Sequence, residues 1–412
     1  MYKRTIVDEA SDLGDPPTDV LEAGLLHKIM VLFHIPANWS AALVLFSAVV
    51  LTSLVGYVWF INLQHALAAA VVIVLLLSFI AVDSFILTLL PRRRLSFGPW
   101  KSQLFALAAP RLLVTLLLLP TAVWWGWMVG MALVFIVQII GVAALWYGAV
   151  IEPFKLELNE YHMFSDRLPY GTPPIRILHI TDLHIERLTQ REEKLLEFAA
   201  KAQPDIIVLT GDYVNLSYNR DPETLAQVRH FLSQLDAPFG VYATLGSPPV
   251  DLRETVVPIF ADLPIPLMRS SWKVVDMGDG RAVTLLGLDC THHLPTDAER
   301  LANLVAAAPN KTPQVFLYHS PELMPQVANY GLDLYLCGHT HGGQVRLPVI
   351  GPLLTSSQLG RQFVMGIYRL GRTHLYVSRG IGLEGLSAPR VRFKAPPETT
   401  LVIMHARGKP AN

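Results

Sequence analysis

Six side chains with metal-binding chemistry occur in four short stretches of this chain, each following a run of apolar residues. They are Asp182, His184, Asp212, His319, His339 and His341. Carboxylates and imidazoles are ligands suited to divalent first-row metals. A single such residue at the end of a strand is usually a turn or capping residue. Their recurrence at successive strand ends therefore indicates a metal site.

The apolar runs before these residues predict the β-strands of an α/β domain. The predicted strands are "IRILHI", "DIIVLT", "GVYATL", "QVFLY" and "DLYLC". Between the first two, "REEKLLEFAAKA" has the spacing of a helix. Open α/β sheets place their ligand crevices at the carboxyl ends of the strands, where these polar residues fall. The later runs "HLYVSRGIG" and "ETTLVIM" are predicted to be further strands that close a second sheet.

Glycines beside the candidate ligands would let the backbone approach closely. They are Gly211, Gly338, Gly342 and Gly343. Two metals that share one bridging carboxylate can activate water and stabilise both oxygens of an in-line displacement at phosphorus. Displacement at phosphorus is therefore one reaction that such a set of residues could support.

The ordered motifs "TDLH", "LTGD", a single histidine and "CGHTHGGQ" resemble the calcineurin-like metallophosphoesterase family, in particular its membrane-attached bacterial branch. The resemblance covers roughly residues 152–405 and implies a two-sheet β-sandwich flanked by helices, with two divalent ions such as Mn, Fe or Zn. It assigns the first metal to Asp182, His184 and His341. It assigns the second to His319 and His339, with Asp212 as the bridge.

The stretch "LGSPPVD" (245–251) departs from the family pattern. The resemblance implies Gly-Asn-His followed by an acid here, whereas this chain has Gly246-Ser247-Pro248. Proline offers neither a side-chain ligand nor a proton. No catalytic residue is therefore assigned, and Pro248 stands at the proton-donor position. Ser247 or Asp251 are possible substitute ligands, and a slowed enzyme is expected more readily than an inactive one.

Several other polar residues have two interpretations. His292 and His293 could border a substrate groove, but a solvated loop is favoured. Arg379 and Arg390 could contact a phosphate, although this is the less favoured interpretation. Cys337 is expected to pack as a small buried residue.

Composition bounds the class of protein. The chain has 412 residues, of which 52% are hydrophobic, and a formal net charge of zero. Its mean hydropathy of +0.38 is high for a soluble protein. The neutral charge gives no reason to expect nucleic acid as a partner. Two distant cysteines predict no disulfide framework.

The apolar residues concentrate in the first 150 positions and predict about four transmembrane helices within 41–151. Residues 41–63 and 66–90 are each long enough to cross a hydrocarbon core, which takes about 20 residues. The run 104–151 is long enough for two more spans. Pro120 and "VWWGWM" (123–128) are expected to form the turn between those spans, with the tryptophans as interfacial anchors. Asp83 within the second span could line a polar path, but a hydrogen bond in helix packing is favoured.

A basic loop sets the expected orientation. It carries Arg92, Arg93, Arg94 and Lys101 between the second and third spans. The positive-inside rule places this loop in the cytoplasm. With four spans, the phosphoesterase domain (152–412) would also be cytoplasmic, on the inner membrane. Residues 1–40 form a tail that is equally compatible with an interfacial helix and a mobile segment.

Three classes of function follow from these features. The favoured one is a membrane-anchored phosphohydrolase that cleaves a phosphodiester or pyrophosphate, with a phosphorylated small-molecule or lipid-linked substrate. The second is a catalytically weakened regulator that binds metal and phosphate, for which Pro248 is the main support. The third is a transporter with an accessory soluble domain, which the scarcity of charge in the spans disfavours.

The orientation can be tested with reporters fused after Asn412. A reporter active only in the cytoplasm is expected to be active, and one active only in the periplasm to be silent, because four spans return the chain to the side of the basic loop. Periplasmic labelling of the carboxyl-terminal domain would mean that the number of spans is wrong.

Overall fold

A computed structural model describes residues 25–408 of the chain. Among these residues the chain forms two compact units. The helical unit contains Leu25–Glu152 together with Glu384–Val391. The other unit contains Pro153–Leu383 and the chain from Arg392 onward. The segment 384–391 therefore packs with the helices although it lies late in the sequence; within that unit, Ser387 Oγ donates a hydrogen bond to Met30 O (2.7 Å).

The helical unit confirms the four predicted apolar helices. The helices are α1 (Leu25–His34), α2 (Ala41–Leu63), α3 (Ala66–Arg92), α4 (Trp100–Leu117), α5 (Leu119–Trp125) and α6 (Trp127–Trp146). Four helical segments are long and apolar enough to cross a membrane: Ala41–Leu63, Ala66–Arg92, Trp100–Trp125 and Trp127–Phe154. Ser40 begins the first of them, because its hydroxyl accepts a hydrogen bond from Leu43 N (3.2 Å).

The turn between the last two spans lies later than Pro120. Pro120 is in the first turn of α5, where a proline loses no helical hydrogen bond. The chain turns instead at Gly126, whose φ of +92° is a conformation that favours glycine. The predicted tryptophan anchors flank this turn, and Trp124 is 76% exposed. The predicted turn region, Pro120 together with "VWWGWM", therefore contains the turn, which lies at its Gly126.

The expected interfacial tail is only partly described, because residues 1–24 lie outside the described part of the chain. Helix α1 covers the end of the tail. It exposes Ile29, Val31 and Leu32, which leaves an interfacial position for this helix as a prediction.

A buried polar network joins three of the apolar helical segments. Arg111 Nη2 and Nε donate to the two carboxylate oxygens of Asp83 at 2.7 and 2.5 Å. Arg111 Nη1 also donates to Gln138 Oε1 at 2.7 Å. These residues lie on α4, α3 and α6. The predicted packing role of Asp83 is confirmed, and Arg111 is the partner that sequence reasoning did not find.

The second unit is a two-sheet sandwich flanked by helices, as predicted. Its strands are β1 (Glu157–Ser165), β2 (Ile175–Ile180), β3 (Ile206–Leu209), β4 (Val241–Ala243), β5 (Ser271–Asp276), β6 (Ala282–Gly287), β7 (Gln314–Leu317), β8 (Leu334–Cys337), β9 (Arg346–Leu347), β10 (Gly351–Pro352), β11 (Gly366–Leu370), β12 (Thr373–Val377) and β13 (Glu398–Ala406). The main sheets have the orders β1-β13-β2-β3-β4 and β11-β12-β8-β7-β6-β5. Strands β9 and β10 form a separate pair.

Three apolar layers hold this sandwich together, because most strands are buried on both faces. Helices α7 (Gln190–Ala202) and α8 (Pro222–Leu232) cover the first sheet, and α10 (Leu294–Ala307) and α11 (Met324–Tyr330) cover the second; α9 (Arg253–Val256) is a single turn. The layer between the sheets includes Ile177, Val208, Val402, Leu285, Leu317 and Leu336. Burial of apolar surface on both faces fixes the register, since a one-residue slip would exchange the two layers.

The last strand contradicts the sequence-based sheet assignment. "ETTLVIM" lies in β13, which pairs in parallel with β1 and antiparallel with β2 in the first sheet. It does not close the second sheet, as β12 does. Which strands become neighbours depends on contacts between segments far apart in the sequence. The alternation of apolar residues within one strand carries no information about those contacts. Its edge neighbour β1 escaped prediction because most of its residues are half-buried or exposed.

The network in the helical unit predicts a non-additive effect on stability. Asp83→Leu or Arg111→Leu alone is expected to cost about 3–5 kcal/mol, because each leaves a buried charge unpaired. The double substitution is expected to cost less than either, as an apolar pair replaces the ions. Denaturant unfolding of the full chain in detergent, followed by circular dichroism, measures this. Additive losses would show that the pair contributes no coupling.

Candidate metal centre

The predicted ligands come together at the carboxyl ends of four strands. Asp182 and His184 follow β2, and Asp212 follows β3 in the same sheet. His319 follows β7, while His339 and His341 follow β8 in the other sheet. They form two buried groups, Asp182–His184–His341 and Asp212–His319–His339, whose ligand atoms within each group lie within 4.8 Å of one another.

The backbone at this edge is strained. Five of the six candidate ligands have φ between +40° and +73°: Asp182, His184, Asp212, His339 and His341. Such left-handed conformations cost on the order of 1–3 kcal/mol each at non-glycine residues and cluster at functional sites. Here they turn the side chains inward after each strand ends. The surrounding sandwich holds these conformations in place.

The carboxylate of Asp212 lies between the two groups. Its Oδ2 atom is 3.1 Å from His319 Nε2. The same atom is 3.5 Å from His184 Nε2, which belongs to the other group. One carboxylate oxygen thus faces ligand atoms of both groups, which is the placement a bridging ligand requires.

Hydrogen bonds orient the imidazoles of the second group. His319 Nδ1 donates to Thr210 O (2.8 Å), and His339 Nε2 donates to Ser356 O (3.0 Å). In the singly protonated form of each ring, the form that can bind a metal, the nitrogen without a proton faces inward, and these two nitrogens lie 3.1 Å apart. Two lone pairs that face each other at this distance fit a cation between them. The residues present therefore suit a divalent metal.

The first group has a comparable arrangement. The Nε2 atoms of His184 and His341 are 3.0 Å apart. Asp182 accepts a hydrogen bond from His339 N (2.9 Å), so its carboxylate is tied to the strand end of the other sheet. Arg392, which sequence reasoning did not find, is fully buried, and its Nη2 lies 3.3 Å from His341 Nδ1. It also donates to Gly382 O (2.6 Å), which positions it behind the ring.

The pKa values show how strongly these groups interact. Burial raises the pKa of Asp182 above its usual range. Burial would also raise the pKa of Asp212, but the charge and hydrogen bond of His319 lower it. Burial alone lowers the pKa of His319, whereas the Asp212 carboxylate raises it to about 10. The negative charge that holds this proton would equally attract a divalent cation in its place.

Two glycines leave room for the carboxylates. A Cβ at Gly338 would collide with Asp182 Oδ2, and one at Gly246 would collide with Asp212 Oδ1. Any larger residue would push the candidate ligands out of position. This explains the close backbone approach expected at Gly338.

Residues 175–343 match the model of the calcineurin-like phosphoesterase family. This part of the chain is a calcineurin-like phosphoesterase domain. The match spans the strand ends that carry all six candidate ligands.

Bacterial relatives are similar to this chain over most of their own length. One is the uncharacterized metallophosphoesterase YkuE of Bacillus subtilis, 28% identical over 262 residues, which cover 62% of this chain and 87% of the relative. The phosphodiesterase YaeI of Escherichia coli is 27% identical over 62% of this chain and 91% of its own. The UDP-2,3-diacylglucosamine pyrophosphatase LpxG of Chlamydia trachomatis is 26% identical over 55% and 83%.

The degenerate loop of the phosphoesterase domain shows what the substitute candidates do. The Asp251 carboxylate accepts hydrogen bonds from three backbone N–H groups, those of Asp212 (2.8 Å), Tyr213 (2.9 Å) and Gly246 (2.8 Å). Both of its oxygens are thus engaged with the backbone, so Asp251 holds the loop, and it is not among the grouped candidate ligands. Ser247 Oγ does face the second group, 3.3 Å from Asp212 Oδ2.

The favoured interpretation of His292 was wrong. It is 1% exposed and lies inside the phosphoesterase site, with its ring centroid 4.7 Å from that of His339. Its φ of +57° matches those of the candidate ligands. It follows β6, a strand that sequence reasoning did not identify, and the same strand-end rule would have found it. The adjacent His293 is half-buried, and its Nδ1 lies 2.7 Å from Thr296 Oγ1.

The two arginines that were candidate phosphate contacts have other partners. Arg379 pairs with Glu398 (2.5 Å) and Glu157 (2.6 Å). Arg390 belongs to the helical unit, where its Nη1 donates to Ala388 O (3.2 Å). Cys337 is fully buried, which confirms the prediction that it packs in the core.

Because Asp212 faces both ligand groups, a single substitution at this residue is expected to weaken metal binding at both sites. The full chain, purified in detergent with Mn²⁺, is expected to hold close to two ions, one per group. Asp212→Asn is expected to lose most of both, because its oxygen faces both groups. Elemental analysis per chain measures this, with Asp236→Asn, an exposed carboxylate, as the matched control.

If Asp212→Asn kept one ion intact, the two groups would be independent and Asp212 would not bridge. A wild-type stoichiometry of zero in metal-replete buffer would exclude the metal centre.

Proposed function

We propose that this protein is a membrane-anchored, metal-dependent phosphohydrolase that cleaves a phosphodiester or pyrophosphate bond. The observation that carries the proposal is the pair of three-residue ligand groups that meet at Asp212. Asp182, His184 and His341 would hold one divalent ion, and Asp212, His319 and His339 the other. The names of the relatives YaeI, a phosphodiesterase, and LpxG, a pyrophosphatase, support a hydrolase of this class.

Two bound divalent ions would supply Lewis acidity, which activates water and neutralises charge on the phosphoryl oxygens. The residues of the chain provide the geometry for that chemistry. Asp212 sets the separation of the two groups, since one of its oxygens serves both. Arg392 and the carbonyls of Thr210 and Ser356 hold the imidazoles in fixed orientations. Such pre-orientation avoids the cost of arranging ligands during the reaction.

The loop at Pro248 would limit the rate of hydrolysis of substrates whose leaving group must be protonated. Pro248 presents no group that could protonate a leaving oxygen. A positioned general acid typically contributes about 10²–10⁴ in rate. We therefore expect slow turnover of esters with poor leaving groups, while esters that leave without protonation are less affected. This same loop is the specific observation that favours the second candidate, a weakened regulator that binds metal and phosphate.

A lipid-linked substrate near the membrane fits the chain best. The four apolar helices would anchor the phosphoesterase domain, and the chain enters the helical unit again at Glu384–Val391. The chain would thus connect the domain to the membrane-anchored helices at three points: 152–153, 383–384 and 391–392. The relative LpxG is named for a diacylated nucleotide sugar. The basic loop between the second and third spans supports a cytoplasmic position of the domain at the inner membrane.

Turnover by the full chain in detergent with Mn²⁺ tests the proposal. The wild type is expected to hydrolyse bis(p-nitrophenyl) phosphate and to act weakly on an alkyl phosphodiester. Ser247→Asn with Pro248→His restores a proton donor and is expected to raise the alkyl rate about 10²–10⁴-fold, with a smaller gain for the nitrophenyl ester. Asp251 already holds the loop, so no further acid is introduced.

Ser247→Asn alone is the matched control, because it changes the side chain that faces the second ligand group without adding an acid. Equal gains on both esters would point to metal affinity or loop shape. A wild type that is fast on the alkyl ester and slowed by the double change would show that its acid comes from elsewhere. No turnover with metal bound would favour the regulator. In the same assay, a lipid-tailed diester should have a higher kcat/KM than its tail-free analogue; equal values would exclude the lipid-linked substrate.

A further inference from the structure

A row of buried polar groups lies next to the second ligand group, and none of its members belongs to the six candidate ligands. It runs through five side chains, all at most 4% exposed: Ser247, His292, Cys290, Tyr318 and Asp297. The row joins the degenerate loop after β4 to α10. Buried hydroxyl, thiol and imidazole groups are costly unless they are hydrogen-bonded, so their alignment requires an explanation.

The hydrogen bonds of this row have one direction. The Asp297 carboxylate accepts from Tyr318 Oη (2.6 Å) and from Thr291 N (3.0 Å). Because Tyr318 donates its only hydroxyl proton to Asp297, its oxygen acts as the acceptor for the thiol of Cys290 (3.4 Å). Burial raises the pKa of this thiol well above its ordinary value, so the proton is present.

The direction continues to the loop. Cys290 Sγ lies 3.7 Å from His292 Nδ1, and a sulfur that has donated its proton can only accept. His292 therefore carries its proton on Nδ1 and a lone pair on Nε2. Ser247 Oγ is 3.2 Å from that Nε2. Because the ring cannot donate from Nε2, the serine hydroxyl is the donor in this contact.

The serine oxygen also faces the second ligand group, where its hydroxyl can donate to Asp212 Oδ2 as long as that oxygen holds no cation. The serine oxygen lies 3.3 Å from Asp212 Oδ2 and 3.4 Å from His339 Nδ1. Both atoms would bind the metal, which leaves His292 Nε2 as the acceptor for the serine proton. Ser247 N also donates to Asp212 Oδ1 (2.7 Å), which fixes the residue beside the group.

From this geometry we propose that Ser247 Oγ is a further ligand of the second metal, oriented by the row from His292 to Asp297. His292 is in this view a positioning residue: it accepts the serine proton and so points the serine oxygen at the cation. The inference rests on the proposed metal centre. The inference concerns only the second metal site, whereas the proposed metal centre concerns both sites. The two proposals can therefore be tested separately.

Mn²⁺ binding to the full chain in detergent, followed by electron paramagnetic resonance, tests the assignment. Ser247→Ala and His292→Phe are each expected to lower the Mn²⁺ affinity of one of the two sites about 10–100-fold, which is the usual cost of losing a group that orients a ligand. The affinity of the other site is expected to stay unchanged. Tyr318→Phe removes a link further along the row and is expected to produce a smaller shift in the same site. His293→Phe is the matched control, because His293 lies outside the row.

Ser247→Cys supplies a direct signature. A thiolate at this position is expected to bind Cd²⁺ in preference to Mn²⁺ and to add a ligand-to-metal charge-transfer absorption that the wild type, with its buried Cys290 and Cys337, lacks. Thermal melting of each variant identifies any that does not fold, and Tyr318→Phe then replaces it.

Wild-type affinity of both sites in Ser247→Ala would overturn the assignment. So would a His292→Phe variant that loses turnover with both Mn²⁺ affinities intact, since His292 would then act on substrate. Failure of the wild type to bind two ions would instead remove the proposed metal centre itself.

Discussion

Both ligand groups depend on the position of one carboxylate. Asp212 offers Oδ2 to His319 and His184, which belong to different groups, and Oδ1 to the backbone of Ser247. Its own backbone N–H is held by Asp251 at 2.8 Å. The loop after β4 and the two candidate metal sites are therefore mechanically connected. A change in the loop would shift the oxygen that both sites share.

The strained strand ends show what the sandwich contributes. Left-handed backbone at five candidate ligands would not persist in an isolated loop, because each costs free energy. The apolar layers on both faces of the two sheets keep the strands in register and so offset that cost. Glycines at 338 and 246 remove the Cβ atoms that would otherwise displace Asp182 and Asp212. The packing of the sandwich thus holds the candidate ligands in place.

Polar groups buried away from the metal site follow two different arrangements. In the helical unit, Asp83, Arg111 and Gln138 form a closed network in which opposite charges compensate each other. In the phosphoesterase domain, the row from Asp297 to Ser247 is neutral apart from its terminal carboxylate and has a fixed hydrogen-bond direction. A closed network favours stability of packing. A directed row can set the tautomer of His292. Through that histidine it determines how Ser247 faces the second ligand group.

The residues by themselves determined the six candidate ligands and the four apolar helices, whereas the flanked two-sheet sandwich was implied by the resemblance of the motifs to the calcineurin-like family. Residue type, strand-end placement and run length are local properties, and local properties are what a sequence displays. Only the tertiary structure decided the place of β13 in the first sheet, the pairing of Asp83 with Arg111 and the burial of His292. Each of these depends on which distant segments become neighbours, and apolar packing between elements decides that. The role of Asp251 was hidden for the same reason: its partners are backbone N–H groups, two of them on a different strand end.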